Sequence, residues 1–261
     1  TNTTRIKNNV TTLVNAIKIA NDHGIIQSVR ENKDLIEILS NDTSFVKDEI
    51  VTLSATNELK TAMPNMLHEF VVIAYNKIVG GDASFEKTDL TNQQIDAINW
   101  KTEGQHLQDI TTNILTIYNT TKETSDAEVM TDLLINVGQI IDSARASATI
   151  SKPFKVFIEE FITSDSINLS ADVKQTIKTT ISNNWDDENY SYAVTFAAIQ
   201  ETAKIAQSII NGSGSIDINS LSGVLSDIIS SDTAKETINQ IIDSEIVSDM
   251  LVFCKIIVDF L

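Results

Sequence analysis

Apolar side chains recur every three or four residues along most of this 261-residue chain. This spacing follows the turn of an α-helix and gathers the apolar side chains on one helix face. The chain has only 2 prolines and 8 glycines, too few for the many tight turns of an all-β sandwich or barrel. The pattern therefore predicts an all-α fold. The first helix is predicted to end at His23-Gly24, with an apolar face of Ile6, Val10, Leu13, Ile17 and Ala20.

A second long helix is predicted from Asn57 to Val79. Pro64 falls inside this range. Because proline lacks a backbone N–H and is tolerated in the first helical turn, we expect Pro64 in that turn or at a break. The predicted core face of this helix consists of Leu67, Phe70, Val71, Ala74 and Ile78.

Two internal similarities indicate a repeated unit. The chain's 2 tryptophans both follow an asparagine, in Asn99-Trp100 and Asn184-Trp185, and the segment Leu35–Ser44 is similar to Leu225–Ala234. Similarity at a long period is typical of tandem repeats, in which each unit buries its apolar face against its neighbours. We expect both tryptophans to open corresponding helices. The predicted architecture is an elongated array of about three stacked units of four helices, with boundaries at residues 1–94, 95–179 and 180–261.

The segment Ile98–Gly104, followed by apolar helices, resembles degenerate tandem helical repeats of large surface proteins from low-GC Gram-positive-type bacteria. The chain's frequent Ile, Asn, Thr and Lys and its scarce proline agree with that resemblance. The residues after the second tryptophan, Asp186–Asn189, depart from the Lys-Thr-Glu-Gly pattern of the first. The resemblance implies a structural or adhesive role at the cell surface or outside the cell, with no catalytic residues to carry over; the cytoplasm is the alternative location. Since the chain starts with Thr1, we expect a mature product or a piece of a larger protein.

The charge of the chain argues against nucleic acid and against anionic membranes. It has 19 Lys and Arg residues against 36 Asp and Glu residues, a net charge of −17. Phosphate binding requires a basic surface, and anionic lipids repel an acidic one. No run reaches the roughly 20 apolar residues that a membrane-spanning helix needs. We therefore predict neither a nucleic-acid partner nor membrane insertion.

Residues with metal-binding or nucleophilic side chains are scattered. The 3 histidines, His23, His68 and His106, lie in separate segments without a second ligand at metal-binding spacing. The single cysteine, Cys254, lies in an apolar run that favours a core thiol. Neither a Gly-x-Ser-x-Gly elbow nor a Cys/His pair is present for nucleophilic catalysis. We therefore predict that the chain is not an enzyme and has no catalytic, cofactor-binding or metal-binding residues.

An acidic triplet, Asp186-Asp187-Glu188, follows Trp185. Acids in the first turn of a helix are stabilised by its partial positive charge, and we predict that position for the triplet. A weak Ca²⁺ site is the alternative, although the alternating oxygen ligands and central glycine of an EF-hand loop are missing.

These patterns favour a non-enzymatic helical repeat module that supports a structure or binds a protein. Its predicted partner is another protein or further repeats of the same chain. The alternative function is a membrane-active or lipid-binding helical protein of the toxin type. That function would depend on the apolar C-terminal segment Ile246–Leu261, which we predict instead to be a buried core helix because Asp249, Lys255 and Asp259 interrupt it.

Overall fold

The computed structural model describes residues 2–33, 35–79, 85, 89–124, 132–164, 171–198 and 200–201. Helices take up most of these residues and none of these residues forms a strand, which confirms the predicted all-α class. Cys254, Ile246–Leu261 and most of the predicted third unit lie outside the described residues. In chain order the helices are α1 (Asn2–Asp22), α2 (Ile25–Arg30), α3 (Leu35–Asn41), α4 (Ser44–Leu53), α5 (Asn57–Val79), α6 (Asn92–Ala97), α7 (Trp100–Glu123), α8 (Leu134–Ala146), α9 (Ser151–Thr163) and α10 (Ala171–Asn184). Residues 192–198 are also helical.

The chain divides into two compact units that are interleaved in sequence. The first unit consists of Thr1–Leu115 and Ser143–Ile158, and the second consists of Thr116–Asp142 and Glu159–Leu261. The boundaries fall inside α7, α8 and α9. The three repeats predicted at residues 1–94, 95–179 and 180–261 stay a prediction.

In the first compact unit, α1 packs mainly on α4 and touches α2. α1 ends where the sequence predicts, because Gly24 takes a left-handed φ of 74° that glycine adopts without strain. The core of this unit includes an aromatic cluster on α5. The ring of Tyr75 meets Phe85 and Phe157 edge to face, with centroids 4.9 Å and 5.7 Å away.

Pro64 is an interior residue of α5, which continues through it. The prediction of a first-turn proline or a helix break is therefore wrong. A proline inside a helix removes one backbone hydrogen bond and costs about 3 kcal/mol. Pro64 is buried in the folded unit, and tertiary packing of this kind can override a local preference.

The second compact unit is organised around Tyr192, whose side chain is fully buried. The hydroxyl of Tyr192 donates to the carbonyl of Ile181 on α10 at 2.8 Å, and its ring packs against Trp185 and Tyr190. On α8, Gly138 lies against the start of the helix at residue 192. A Cβ at position 138 would lie 2.6 Å from the carbonyl oxygen of Tyr192, so the close approach requires glycine.

The two Asn-Trp dipeptides lie at opposite ends of helices. Trp100 is the first residue of α7, whereas Trp185 follows the last residue of α10. The prediction that each tryptophan opens a helix holds for Trp100 and is wrong for Trp185. The side-chain oxygen of Asn99 accepts from the N–H three residues later at 3.2 Å, as an N-cap does, whereas the amide of Asn184 donates to the carbonyl four residues earlier at 2.8 Å. Asparagine has both a donor and an acceptor, so it serves either end.

Candidate functional site

Most of the large apolar side chains of α1 are exposed, although Ile19 is half-buried. Four residues of its predicted core face are exposed, and the fifth, Ala20, is half-buried. The side that packs against the rest of the unit carries mainly small or polar residues, such as the buried Thr12 and the half-buried Ala16. The helical period predicted the helix correctly, but the assignment of its apolar face to the core is wrong. We call the exposed set, which is between 45% and 60% exposed, the α1 stripe: Ile6, Val10, Leu13, Val14 and Ile17.

A second exposed apolar row lies on α5. Met66, Phe70 and Ile73 are between 51% and 64% exposed, and we call them the α5 stripe. Phe70 and its neighbour Ala74 were predicted to be core residues, and this prediction is wrong because both are exposed. The interior side of α5 contributes other residues to the core, including Met63 and Tyr75.

Basic side chains border the α1 stripe. At about 100° per residue, Lys7 and Lys18 fall beside the stripe on the flank that carries Val14. Lys18 forms an exposed ion pair with Asp22 at 2.7 Å. The helix has 3 basic residues and a single acid in a chain whose net charge is −17, so it is a locally basic element of an acidic protein. The positive charge beside the α1 stripe favours partners with acidic residues at the matching border.

A histidine joins the end of α1 to α4. His23 Nδ1 is hydrogen-bonded to the carboxylate of Asp42, which precedes α4, and Nε2 lies 3.2 Å from the carboxylate of Asp48 on α4. A neutral imidazole has one donor nitrogen, so contact with two carboxylates requires the imidazolium. Residue spacing does not predict this cluster, because the two partners of His23 are 19 and 25 positions away in the sequence.

The electrostatics of the cluster agree with a charged His23. The hydrogen bond with Asp42 is the main cause that raises the pKa of His23. A hydrogen bond from Ser44 lowers the pKa of Asp42, and burial raises the pKa of the neighbouring Glu49. Over the described part of the chain, no group of three or more His, Cys, Asp or Glu side chains could hold a metal ion. The cluster is therefore best described as an ion-paired joint between helices.

Glu103 on α7, a buried carboxylate of the first unit, caps the turn that leads into α9. Its oxygens accept from the hydroxyl of Ser147 at 2.6 Å and from the N–H groups of Ala148 and Thr149 at 2.9 Å and 3.2 Å. The hydroxyl of Ser147 in turn accepts from the N–H of Ile150 at 3.1 Å. These hydrogen bonds order the turn that precedes α9, which is a structural role.

The second unit repeats this arrangement. The carboxylate of Asp142 on α8 accepts from the hydroxyl of Ser191 at 2.9 Å and from the N–H groups of Tyr192 and Ala193 at 3.0 Å and 2.9 Å. The hydroxyl of Ser191 accepts from the N–H of Val194 at 3.3 Å. In both units a serine and a distant carboxylate together satisfy three successive N–H groups, which lie in the turn before α9 in the first unit and in the first turn of the helix at residue 192 in the second. Neither capping pair was predicted from the sequence.

The remaining candidates stay apart. His68 is buried on α5 and His106 is half-buried on α7. The acidic triplet occupies the turns between α10 and residue 192, so its predicted place in the first turn of a helix is wrong. Asp187 instead closes a turn by accepting from the N–H of Asn189 at 3.0 Å. Among the helices of the described ranges, none combines the length and the apolarity that crossing a membrane requires.

Comparison of the chain with protein-family models, with curated proteins and with solved structures gives no match.

Proposed function

We propose that this chain is a non-enzymatic structural module that binds another protein through the α1 stripe. The observation that carries the proposal is the exposure of five large apolar side chains on one face of α1. Contiguous apolar patches on soluble proteins are often binding sites, because burying apolar surface in an interface is favourable by about 25 cal/mol for each Å² removed from water.

The shape of the stripe favours a helix or a groove as its partner. Ile6, Val10, Leu13 and Ile17 are spaced as the anchors of a helix that lies in an apolar groove. The polar clusters of the first unit support the non-enzymatic part of the proposal. His23 is held between two carboxylates, and Glu103 accepts several hydrogen bonds from the turn that precedes α9. Groups that are used in this way are poorly placed to act on a substrate.

The place of the module in a larger bacterial surface protein is a proposal from the sequence. It depends on the similarity between chain segments and on the resemblance of Ile98–Gly104 to surface-protein repeats. In such a protein the α1 stripe would meet either a further repeat or a separate protein.

The membrane-active alternative has one observation in its favour. An apolar helix face with lysines on its border, as Lys7 and Lys18 provide, is typical of helices that lie at a membrane surface. The acidic character of the whole chain opposes binding to anionic lipid, which makes this the second candidate.

A photo-activated cross-linker at position 10, in the cells that produce the protein, tests the proposal. We expect a protein adduct from the cross-linker at position 10 and none from one at position 29, where Val29 is a comparably exposed apolar residue on α2 that serves as the matched control. The adduct should disappear when Ile6→Gln and Ile17→Gln are added, while the far-UV circular dichroism melt stays unchanged. Adducts with lipid alone would support the membrane alternative, and no adduct at position 10 would contradict the docking face.

A further inference from the structure

We propose that His23 is a pH-sensitive joint that keeps α1 docked on α4, and that binding through the α1 stripe is lost when a rise in pH releases α1. The inference rests on the proposed function, because it names a regulation of the α1 stripe. It is carried by the position of the His23 ring between two carboxylates and by the weak packing of α1 on the rest of the first unit.

The sequence of α1 is a poor helix former by itself. Its 21 residues include 5 asparagines, 4 threonines and 5 valines or isoleucines, all of which rank low in helix propensity. Its first turn has no acid and its last turn has no base to offset the helix dipole. Because most helical stability in proteins comes from tertiary packing, we expect α1 to stay helical only while it is docked.

The docked face of α1 buries little apolar surface. Thr12 is the buried residue of this helix, and the large side chain of Ile19 is half-buried. The side-chain oxygen of Asn9 is buried without a hydrogen-bond partner among the described residues, which opposes docking. An ion pair of Arg5 with Glu58 on α5 is mostly exposed and contributes little. We therefore expect the contacts at the end of α1 to supply a large share of the free energy that holds it in place.

His23 connects the end of α1 to α4 through both its backbone and its ring. Its N–H donates to the carbonyl of Ile19 at 3.0 Å and closes the last turn of α1. Its two ring nitrogens contact the carboxylates of Asp42 and Asp48. A neutral imidazole donates from one nitrogen, and the lone pair of the other would face a carboxylate oxygen. Loss of the proton therefore removes at least one of the two contacts.

The charged groups that interact with the ring are carboxylates, which favour the imidazolium. They are Asp22 at the end of α1, Asp42 before α4, and Asp48 and Glu49 on α4. The hydrogen bond with Asp42 is the main cause that raises the pKa of His23 above 6.5, and burial opposes it. The joint is therefore complete below pH 6.5 and is lost as the pH rises through the raised pKa of the folded state.

Release of α1 would remove the binding surface. The side chains of the α1 stripe lie in one row only while α1 is helical, because their spacing of three and four residues follows the helical turn. We therefore expect the stripe to bind its partner at low pH and to lose it at high pH.

Hydrogen–deuterium exchange of the full chain from about pH 6 to about pH 9, expressed as protection relative to the unstructured peptide at each pH, tests the release. We expect the protection of α1 to fall about tenfold or more over this rise, since a charged hydrogen bond is lost, while α7 retains its protection. His23→Gln does not titrate and should leave α1 weakly protected throughout. His23→Arg keeps its charge and several donors and should keep α1 protected throughout.

Two further variants make the test specific to the joint. Asp48→Asn removes one of the two carboxylates and should move the loss of protection to lower pH. The matched control is His106→Gln, which replaces a half-buried histidine on α7 and should behave like the unchanged chain. Constant protection of α1 in the unchanged chain would overturn the inference, as would a loss that persists in His23→Arg or disappears in His106→Gln.

Cross-linking at position 10 in an extract of the producing cells, buffered at the same two extremes of pH, tests the regulation of binding. We expect the yield of the protein adduct to fall at high pH in the unchanged chain and to stay constant in His23→Arg. Equal yields in the unchanged chain at both pH values, with α1 released at the higher one, would overturn the regulation. Absence of any adduct at both pH values, with the loss of protection still present, would contradict the proposed function and leave the His23 joint intact.

Discussion

Glu103 and Ser147 are joined by a buried hydrogen bond of 2.6 Å between a carboxylate on α7 and a hydroxyl at the start of the turn into α9. The same carboxylate accepts two backbone N–H groups, so its removal leaves several buried donors without an acceptor. We predict that Glu103→Gln lowers the free energy of unfolding by about 2–3 kcal/mol, because the amide N–H₂ would face other donors. Urea denaturation measures this difference.

The control for this prediction is Glu123→Gln, which neutralises an exposed carboxylate near the end of the same helix. Surface changes of this kind stay within about 0.5 kcal/mol. An equal loss of stability in the two variants would show that the capping contacts of Glu103 contribute nothing beyond their charge.

Gly138→Ala should destabilise the second compact unit. The added Cβ would lie 2.6 Å from backbone atoms of Tyr192 and Ala193, which cannot rotate away as a side chain can. Overpacking of this kind costs about 1–3 kcal/mol, which outweighs the gain of up to about 1 kcal/mol from replacing a helical glycine. Thermal unfolding followed by circular dichroism should show the lower midpoint.

Gly104→Ala is the matched comparison on α7. Its Cβ would meet the carbonyl oxygen of Lys47 at 3.1 Å, a contact that a shift of a few tenths of an ångström relieves. We predict a change within about 1 kcal/mol for Gly104→Ala, because helix propensity offsets the contact. If Gly104→Ala were the more damaging of the two, the close approach at Gly138 would be contradicted.

The joint at His23 should make the stability of the first unit depend on pH. The pKa of His23 is raised in the folded protein above its ordinary value of 6.5. Its contribution is therefore fully present below pH 6.5 and is lost as the pH rises through the raised pKa of the folded state. We predict that the difference in unfolding free energy between the unchanged chain and His23→Gln becomes smaller as the pH rises through the pKa of His23 in the folded protein.

Denaturation of both chains at several pH values measures this effect, and an NMR titration of the His23 ring locates its pKa in the folded protein. The contribution of Asp42 to stability changes with pH in the opposite direction. The pKa of Asp42 is lowered, so its contribution is present above its ordinary value of 3.8 and is lost as the pH falls through the lowered pKa. A stability difference that is constant between pH 6 and pH 9 would contradict a charged joint.

Asn99 and Asn184 should respond differently to alanine. Asn99 accepts from an N–H at the start of α7, and loss of an N-cap costs about 1 kcal/mol. Asn184 is the last residue of α10, where alanine has a favourable helix propensity and a smaller cost is expected. Urea denaturation of Asn99→Ala and Asn184→Ala tests whether the loss of stability is larger at Asn99. Equal losses at both positions would contradict a larger contribution of Asn99 as an N-cap.

The sequence predicts where the helices lie better than it predicts which face of each helix is buried. The period of apolar residues locates α1 and α5, and His23-Gly24 marks the end of α1. The period does not reveal which element covers an apolar face, because the covering element comes from elsewhere in the chain. For this reason the exposed face of α1 and the exposed ring of Phe70 were both assigned to the core.

The capping carboxylates were missed for a related reason. Their partners are backbone N–H groups, which every sequence contains and no residue type marks. One signal was available for Glu103. It shares a helix face with the buried Leu107 and Ile110, and an acid within an apolar register is expected to have polar partners in the folded protein.

The capping carboxylates Glu103 and Asp142 lie between 44 and 51 positions away from the groups that they accept hydrogen bonds from. A loop of that length has to close before the cap forms, so we expect these contacts to form late in folding. Ser147 and Ser191 can begin a turn locally, but the N–H groups of Ala148 and Tyr192 gain their acceptors only when the distant helix has docked. Deuterium exchange at these two amides should therefore follow the opening of the tertiary structure, while the local ends of other helices fray without it.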